Sequence, residues 1–133
     1  MTALSLNTLL ILAAVGLGAF LGGMLRYGLS RLLPSPAGTF AANMLGSLAL
    51  GLTVGFFRLG GWEAGPWGSV AYMGLTGGFA GGLSTWSTFA RELGDMLKAR
   101  HWGRALRYAA ATLAIGIIAA WRGVIWAERI WFG

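Results

Sequence analysis

Cysteine is absent from this 133-residue chain, so neither a disulfide framework nor a thiolate metal site is available to it. Histidine occurs once, at His101, with no second histidine and no cysteine to complete a zinc site. Acid is scarce: Glu63, Glu92, Asp95 and Glu128 are the only carboxylates, and all are expected in or near loops. No apolar run is expected to hold a histidine, lysine or carboxylate, which leaves any hydroxyl nucleophile without a base. An enzyme is therefore not expected. The same shortage disfavours a proton-coupled exporter, including a small multidrug-type transporter, because such proteins need an ionisable group within a span.

What the chain has in quantity is apolar surface and glycine. Hydrophobic residues make up 56% of it and charged residues 11%, and there are 23 glycines. Soluble domains carry about 25% charged residues, so the composition is that of a membrane protein. The net charge of +6 does not point to nucleic acid, because the basic residues sit between long apolar runs rather than on a polar face. Arginine flanking membrane spans accounts for it. The runs predict an all-α membrane protein, a single transmembrane domain over 1–133 with four spans at approximately 5–26, 38–57, 67–93 and 105–125. That is a multi-pass protein of the cell inner (plasma) membrane, with no soluble domain left over.

The first run lacks the preceding positive charge of a signal peptide, its first arginine being Arg26 at the far end. Extending it back to Leu4 gives it comfortable spanning length. Gly18 and Gly22 form a G-x-x-x-G pair suited to close helix packing. Arg26 reads either as a snorkelling anchor or as a structural residue inside the protein. In the second run Thr39, Asn43, Ser47, Gly51 and Gly55 recur every four residues, a polar stripe grading into a small-residue stripe. Asn43 is costly in hydrocarbon unless paired or wetted, and an interhelical hydrogen bond would satisfy it. In the fourth run Tyr108, Thr112 and Gly116 share a face, and Tyr108 suits either an interfacial belt or a pathway. Trp121, Trp126 and Trp131 suit the belt.

The third run holds the unusual stretch, GLTGGFAGGLSTWSTF at Gly74–Phe89. Glycine weakens a helix and bares its backbone, so a helix broken near the middle of the span is expected. In lipid such a break is tolerated only where it is buried in protein or lines a wet cavity. Bare carbonyls there suit a hard cation such as sodium. The neutral hydroxyls, the Asn43 amide and the positive edges of aromatic rings suit a small anion. An ion pathway follows, with the ion unnamed.

The segments GGMLRYGLS at Gly22–Ser30, GTFAANMLGS at Gly38–Ser47 and GGFAGGLSTWSTFARE at Gly77–Glu92 together resemble the Fluc or CrcB family of small four-span fluoride channels. The family pattern in the third reads approximately G-x-x-G-G-[LFM]-T-T-F-S-T-F. The resemblance covers essentially the whole chain. It implies fluoride-selective, passive export that protects the cell from fluoride, through an antiparallel dual-topology homodimer with two pores. It also implies one structural, untransported sodium ion at the dimer centre, held by main-chain carbonyls matching Gly81 and Ser84. By the same resemblance Asn43, Trp86, Phe89, Ser87, Thr88, Tyr108 and Thr112 belong to the fluoride pore and Arg26 is structural. Trp86 departs from the family's phenylalanine, and Gly116 stands where some members place a hydroxyl.

Topology adds a complication. Arg26, Arg31, Arg91, Lys98, Arg100, Arg104 and Arg107 fall on one side and Arg58, Arg122 and Arg129 on the other, which favours both termini outside. Dual insertion wants a weaker bias. This leaves room for a non-conducting or partner-dependent half of a heterodimeric channel, paired with a homologous subunit of opposite orientation. Glycine stripes that serve packing only would instead suit a structural subunit of a membrane complex.

Overall fold

The computed structural model describes residues 5–133; the proposed start of the first run at Leu4 lies outside them. All regular structure among the described residues is helical. Helix α1 runs Leu6–Leu32, α2 Ala37–Gly60, and a short 3₁₀ turn, Trp62–Ala64, leads to α3 at Gly68–Met73. The chain then winds as a π-helix over Gly74–Ala80, returns to one α turn, α4, at Gly81–Leu83, and restarts as α5 at Trp86–Lys98. Helix α6 spans Trp102–Phe132.

Three of these helices, α1, α2 and α6, are long and apolar enough to cross a membrane. Each outruns the span expected of it, because charged residues at the ends continue the helix instead of stopping it. Ser5 starts α1 by accepting a hydrogen bond from the Thr8 amide at 3.2 Å. Gly61 ends α2 in a left-handed conformation, φ 61°, that a side chain would strain. The stretch around Glu92 and Asp95, expected in or near a loop, is also mostly helix. Arg91, Glu92, Asp95 and Lys98 lie on α5, and only the short turn Ala99–His101 separates it from α6.

The expected break is real but displaced. Glycine does not open the helix over Gly74–Ala80; it lets the backbone wind wide and pack tightly. A methyl at Gly18 would collide with the Gly74 carbonyl, and one at Gly22 with the Phe79 carbonyl. From the other side, a methyl at Gly78 would sit 2.7 Å from the Val15 carbonyl and one at Gly82 2.6 Å from that of Ala19. The two backbones touch through glycine on both faces, the small-residue packing of membrane interiors. Helices α2 and α6 use the same device: a methyl at Gly123 would come within 2.6 Å of the Leu48 carbonyl. The chain actually leaves helical geometry two residues beyond the glycines, at Ser84 (φ −76°, ψ 156°) and Thr85 (φ −147°, ψ 120°).

Candidate functional site

Two features put the interruption at Ser84 and Thr85. The Thr85 hydroxyl caps α5, accepting from the Thr88 amide at 3.3 Å. Asn43, one turn and more into α2, grips the Thr85 backbone with both ends of its amide. Its Oδ1 accepts from the Thr85 N–H at 2.6 Å, and its Nδ2 donates to the Thr85 carbonyl at 3.2 Å. Asn43 thus spends on the break the hydrogen bonds that a continuous helix would have made, which satisfies a buried backbone with a side chain.

That exchange has a consequence for the carbonyls before the break. In an α-helix the Gly81 oxygen would accept from Thr85 and the Ser84 oxygen from Thr88. Here the Thr85 amide goes to Asn43 and the Thr88 amide to the Thr85 hydroxyl. Gly81 and Ser84, the two carbonyls expected to hold sodium, are those whose helical partners have been diverted. Hard, neutral oxygens of this kind fit a hard monovalent cation. Both residues line a cavity of about 150 Å³ with Gly46, Ser47 and Thr76.

The other expected site residues, Tyr108 excepted, divide between two cavities of about 390 Å³ each, with Thr85 as a wall common to both. Asn43, Trp86, Phe89 and Thr112 line one, together with Met44, Ser47 and Gly116. Ser87, Thr88 and Arg26 line the other, with Thr39, Ser30 and Arg91. Arg26 is half-buried, so it is neither a free anchor nor a core residue. In the first cavity the Thr112 hydroxyl is buried and has no hydrogen-bond partner. A buried orphan hydroxyl costs about 1–3 kcal/mol unless something arrives to take it up.

Phe89 is 2% exposed and Trp86 72%, so the two neighbouring rings are in opposite situations. Phe89 is held between Trp86, at 5.3 Å between centroids, and the edge-on ring of Tyr108, at 5.2 Å. Tyr108 is buried, not part of a belt. Its hydroxyl donates to Glu92 Oε2 at 2.7 Å.

Glu92 is the residue that sequence reasoning missed. It was expected in a loop with the other acids, yet it is 7% exposed and inside the protein. Its Oε1 accepts from the Ser35 hydroxyl at 2.6 Å and the Thr39 hydroxyl at 2.7 Å, alongside Tyr108 on Oε2. Three hydroxyls from three separate segments take the place of a counter-cation, which makes burial of the carboxylate affordable. The signal for it lay in spacing. Phe89, Glu92 and Met96 recur at intervals of three and four on one buried face of α5, with the buried cap Thr85 four residues before Phe89.

The arrangement is thus a helix break fixed from outside, carbonyls released before it, and hydroxyl-lined cavities after it. A family model described as CrcB-like protein, Camphor Resistance (CrcB), matches residues 13–124. The chain belongs to the CrcB family. The fluoride-specific ion channel FluC 2 of Corynebacterium diphtheriae is 40% identical over 114 residues, covering 86% of this chain and 98% of the relative. The protein of the same name from Bacillus subtilis is 42% identical over 123 residues, 90% of this chain and 89% of its own. The fluoride-specific ion channel FluC of Methanopyrus kandleri is 38% identical over 126 residues, covering 92% of each. Membership of the CrcB family and the long apolar helices together make this a multi-pass membrane protein of a channel family, not an enzyme.

Proposed function

We propose that this chain is a fluoride-selective channel giving passive fluoride export across the inner membrane, and so protecting the cell from fluoride. The observation that carries the reading is the cavity beside the break, where the orphan Thr112 hydroxyl, the Phe89 ring and the Asn43 amide meet without a formal charge. Fluoride is small and strongly hydrated, so a route through protein must replace its water with several neutral donors. The Arg26 and Arg91 cavity, with Ser87 and Thr88, serves as the entrance that gathers anions before they pass Thr85.

In this reading the working unit is an antiparallel, dual-topology homodimer of four-span subunits, the segment from α3 to α5 making the third span. Trp86 supports an assembly, being largely uncovered beside Leu113 and Ile117, both also exposed. Gly81 and Ser84 would hold sodium through their main-chain carbonyls. When bound, the ion supplies a fixed positive charge at the break and takes no part in transport. Glu92 keeps the Ser35, Thr39 and Tyr108 hydroxyls ordered next to the route, and Tyr108 fixes Phe89 edge-on. The seven-to-three imbalance of Lys and Arg supports a second arrangement, in which the chain pairs with a homologous subunit of opposite orientation.

Fluoride efflux from liposomes containing the purified protein, with chloride as the control anion, tests the function. Fluoride release without chloride release is expected. No fluoride release from a stable dimer would overturn the homomeric channel. In the same assay Trp86→Phe is expected to conduct at least as fast as the wild type, since the larger indole narrows the cavity.

A further inference from the structure

Gly116 leaves a gap in the hydroxyl face of α6. Tyr108 and Thr112 precede it at four-residue spacing, and a helix places all three in one row. A first side-chain carbon built at Gly116 would stand 3.6 Å from the Ser47 Oγ and 3.5 Å from the Met44 Cε. Both distances are ordinary van der Waals contact, so the Ser47 hydroxyl on α2 borders the space that a hydroxyl at position 116 would reach. Ser47 lines the same cavity as Thr112, Asn43 and Trp86, and it also lines the smaller cavity of Gly81 and Ser84.

Other hydroxyls near this site are spent locally. Thr53, Thr76 and Ser84 each donate to the carbonyl four residues earlier, at 2.8, 2.7 and 2.9 Å. Among the described residues Ser47 makes no such return bond, and the Thr112 hydroxyl, buried one turn before Gly116, has no partner at all. Two uncommitted hydroxyls from two helices therefore border one cavity. A fluoride ion only accepts hydrogen bonds, and two donors on opposite walls can hold it where one row of donors has run out.

We propose that Ser47 supplies the anion-binding hydroxyl that α6 lacks at Gly116, so that the donor row continues from Thr112 across to α2. The proposal rests on the fluoride-channel reading and assigns it a further specificity-determining residue. Its test is fluoride efflux from liposomes by wild type, Ser47→Ala and the double variant Ser47→Ala/Gly116→Ser. Ser47→Ala is expected to slow efflux about tenfold or more, the loss of one hydrogen bond to a charged group. Restoring a hydroxyl from the other wall in the double variant is expected to recover most of the rate. Wild-type rates in Ser47→Ala overturn the proposal. So does a slow Ser47→Ala that Gly116→Ser fails to rescue, or that Gly116→Ala, which fills the same space without a donor, rescues equally well. Should Ser47→Ala not elute as a single species, the near-isosteric Ser47→Cys, a weak donor, is read against Ser47→Thr by the same criteria. A wild type that releases no fluoride overturns the channel reading itself, whereas failure of the rescue with a conducting wild type overturns the Ser47 assignment alone.

Discussion

Asn43 shows how much one side chain decides here. Its two ends hold the N–H and C=O of Thr85, and an aspartate could reproduce only the acceptor half. Asn43→Asp also places a charge where apolar groups surround it, so fluoride efflux should be lost while the protein still elutes at its wild-type volume. Efflux at the wild-type rate would mean that the bracket on Thr85 is dispensable. Glu92 is the second decisive side chain. Glu92→Ala leaves the buried Thr39 and Tyr108 hydroxyls without an acceptor, while exposed Ser35 turns to water, and unsatisfied buried groups cost about 1–3 kcal/mol each. Denaturation in detergent should show a clear loss of stability. Glu92→Gln keeps the Oε1 acceptor for Ser35 and Thr39 and should lose less. Neither role was readable locally. Asn43 and Thr85 are 42 positions apart, and the donors to Glu92 lie 57, 53 and 16 positions from it. The residue types were visible in the sequence; their pairing was a product of the fold.

At the scale of elements, composition spoke clearly about length and poorly about winding. The apolar runs announced α1, α2 and α6, because a charge-free stretch of about 20 residues has few other uses. For Gly74–Phe89 the same reasoning placed the break among the glycines. Propensity measures how weakly glycine holds a helix in water, whereas here α1 presses on the Gly74–Ala80 backbone and keeps it coiled. The break moved to where a cap and an outside amide were available. Close backbone contact also gives a sharp comparison between adjacent glycines. A methyl at Gly22 meets the Phe79 carbonyl, whereas one at Gly23 meets nothing within 4 Å. Gly22→Ala should lower the melting temperature, overpacking costing about 1–3 kcal/mol. Gly23→Ala should leave it unchanged or raise it, since alanine is better in a helix by about 0.5–1 kcal/mol. Equal melting temperatures would contradict the tight α1 packing.

For the whole molecule the deciding property is orientation. Charge on the connecting segments favours one insertion, while an antiparallel homodimer needs both. Because the chain has no cysteine, a single one introduced at exposed Gly103 reports orientation without background. Labelling of Gly103→Cys by an impermeant reagent from both faces of the membrane is expected for the dual-topology homodimer. Labelling from one face only would point to a partner of opposite orientation. The sequence made the membrane class and the family resemblance legible from end to end. It was silent on how α3 to α5 would divide the site residues between two cavities, because that division depends on Thr85 standing as their shared wall.

The grip of Asn43 on Thr85 also has a meaning in time. A helix interrupted in its middle would ordinarily hinge freely, each half moving with only weak resistance. Here α5 cannot swing relative to α4 unless two hydrogen bonds to α2 let go together, so the hinge is latched from the side. Deuterium exchange at the Thr85 amide would then report how often α2 and α5 part company, a clock for this joint.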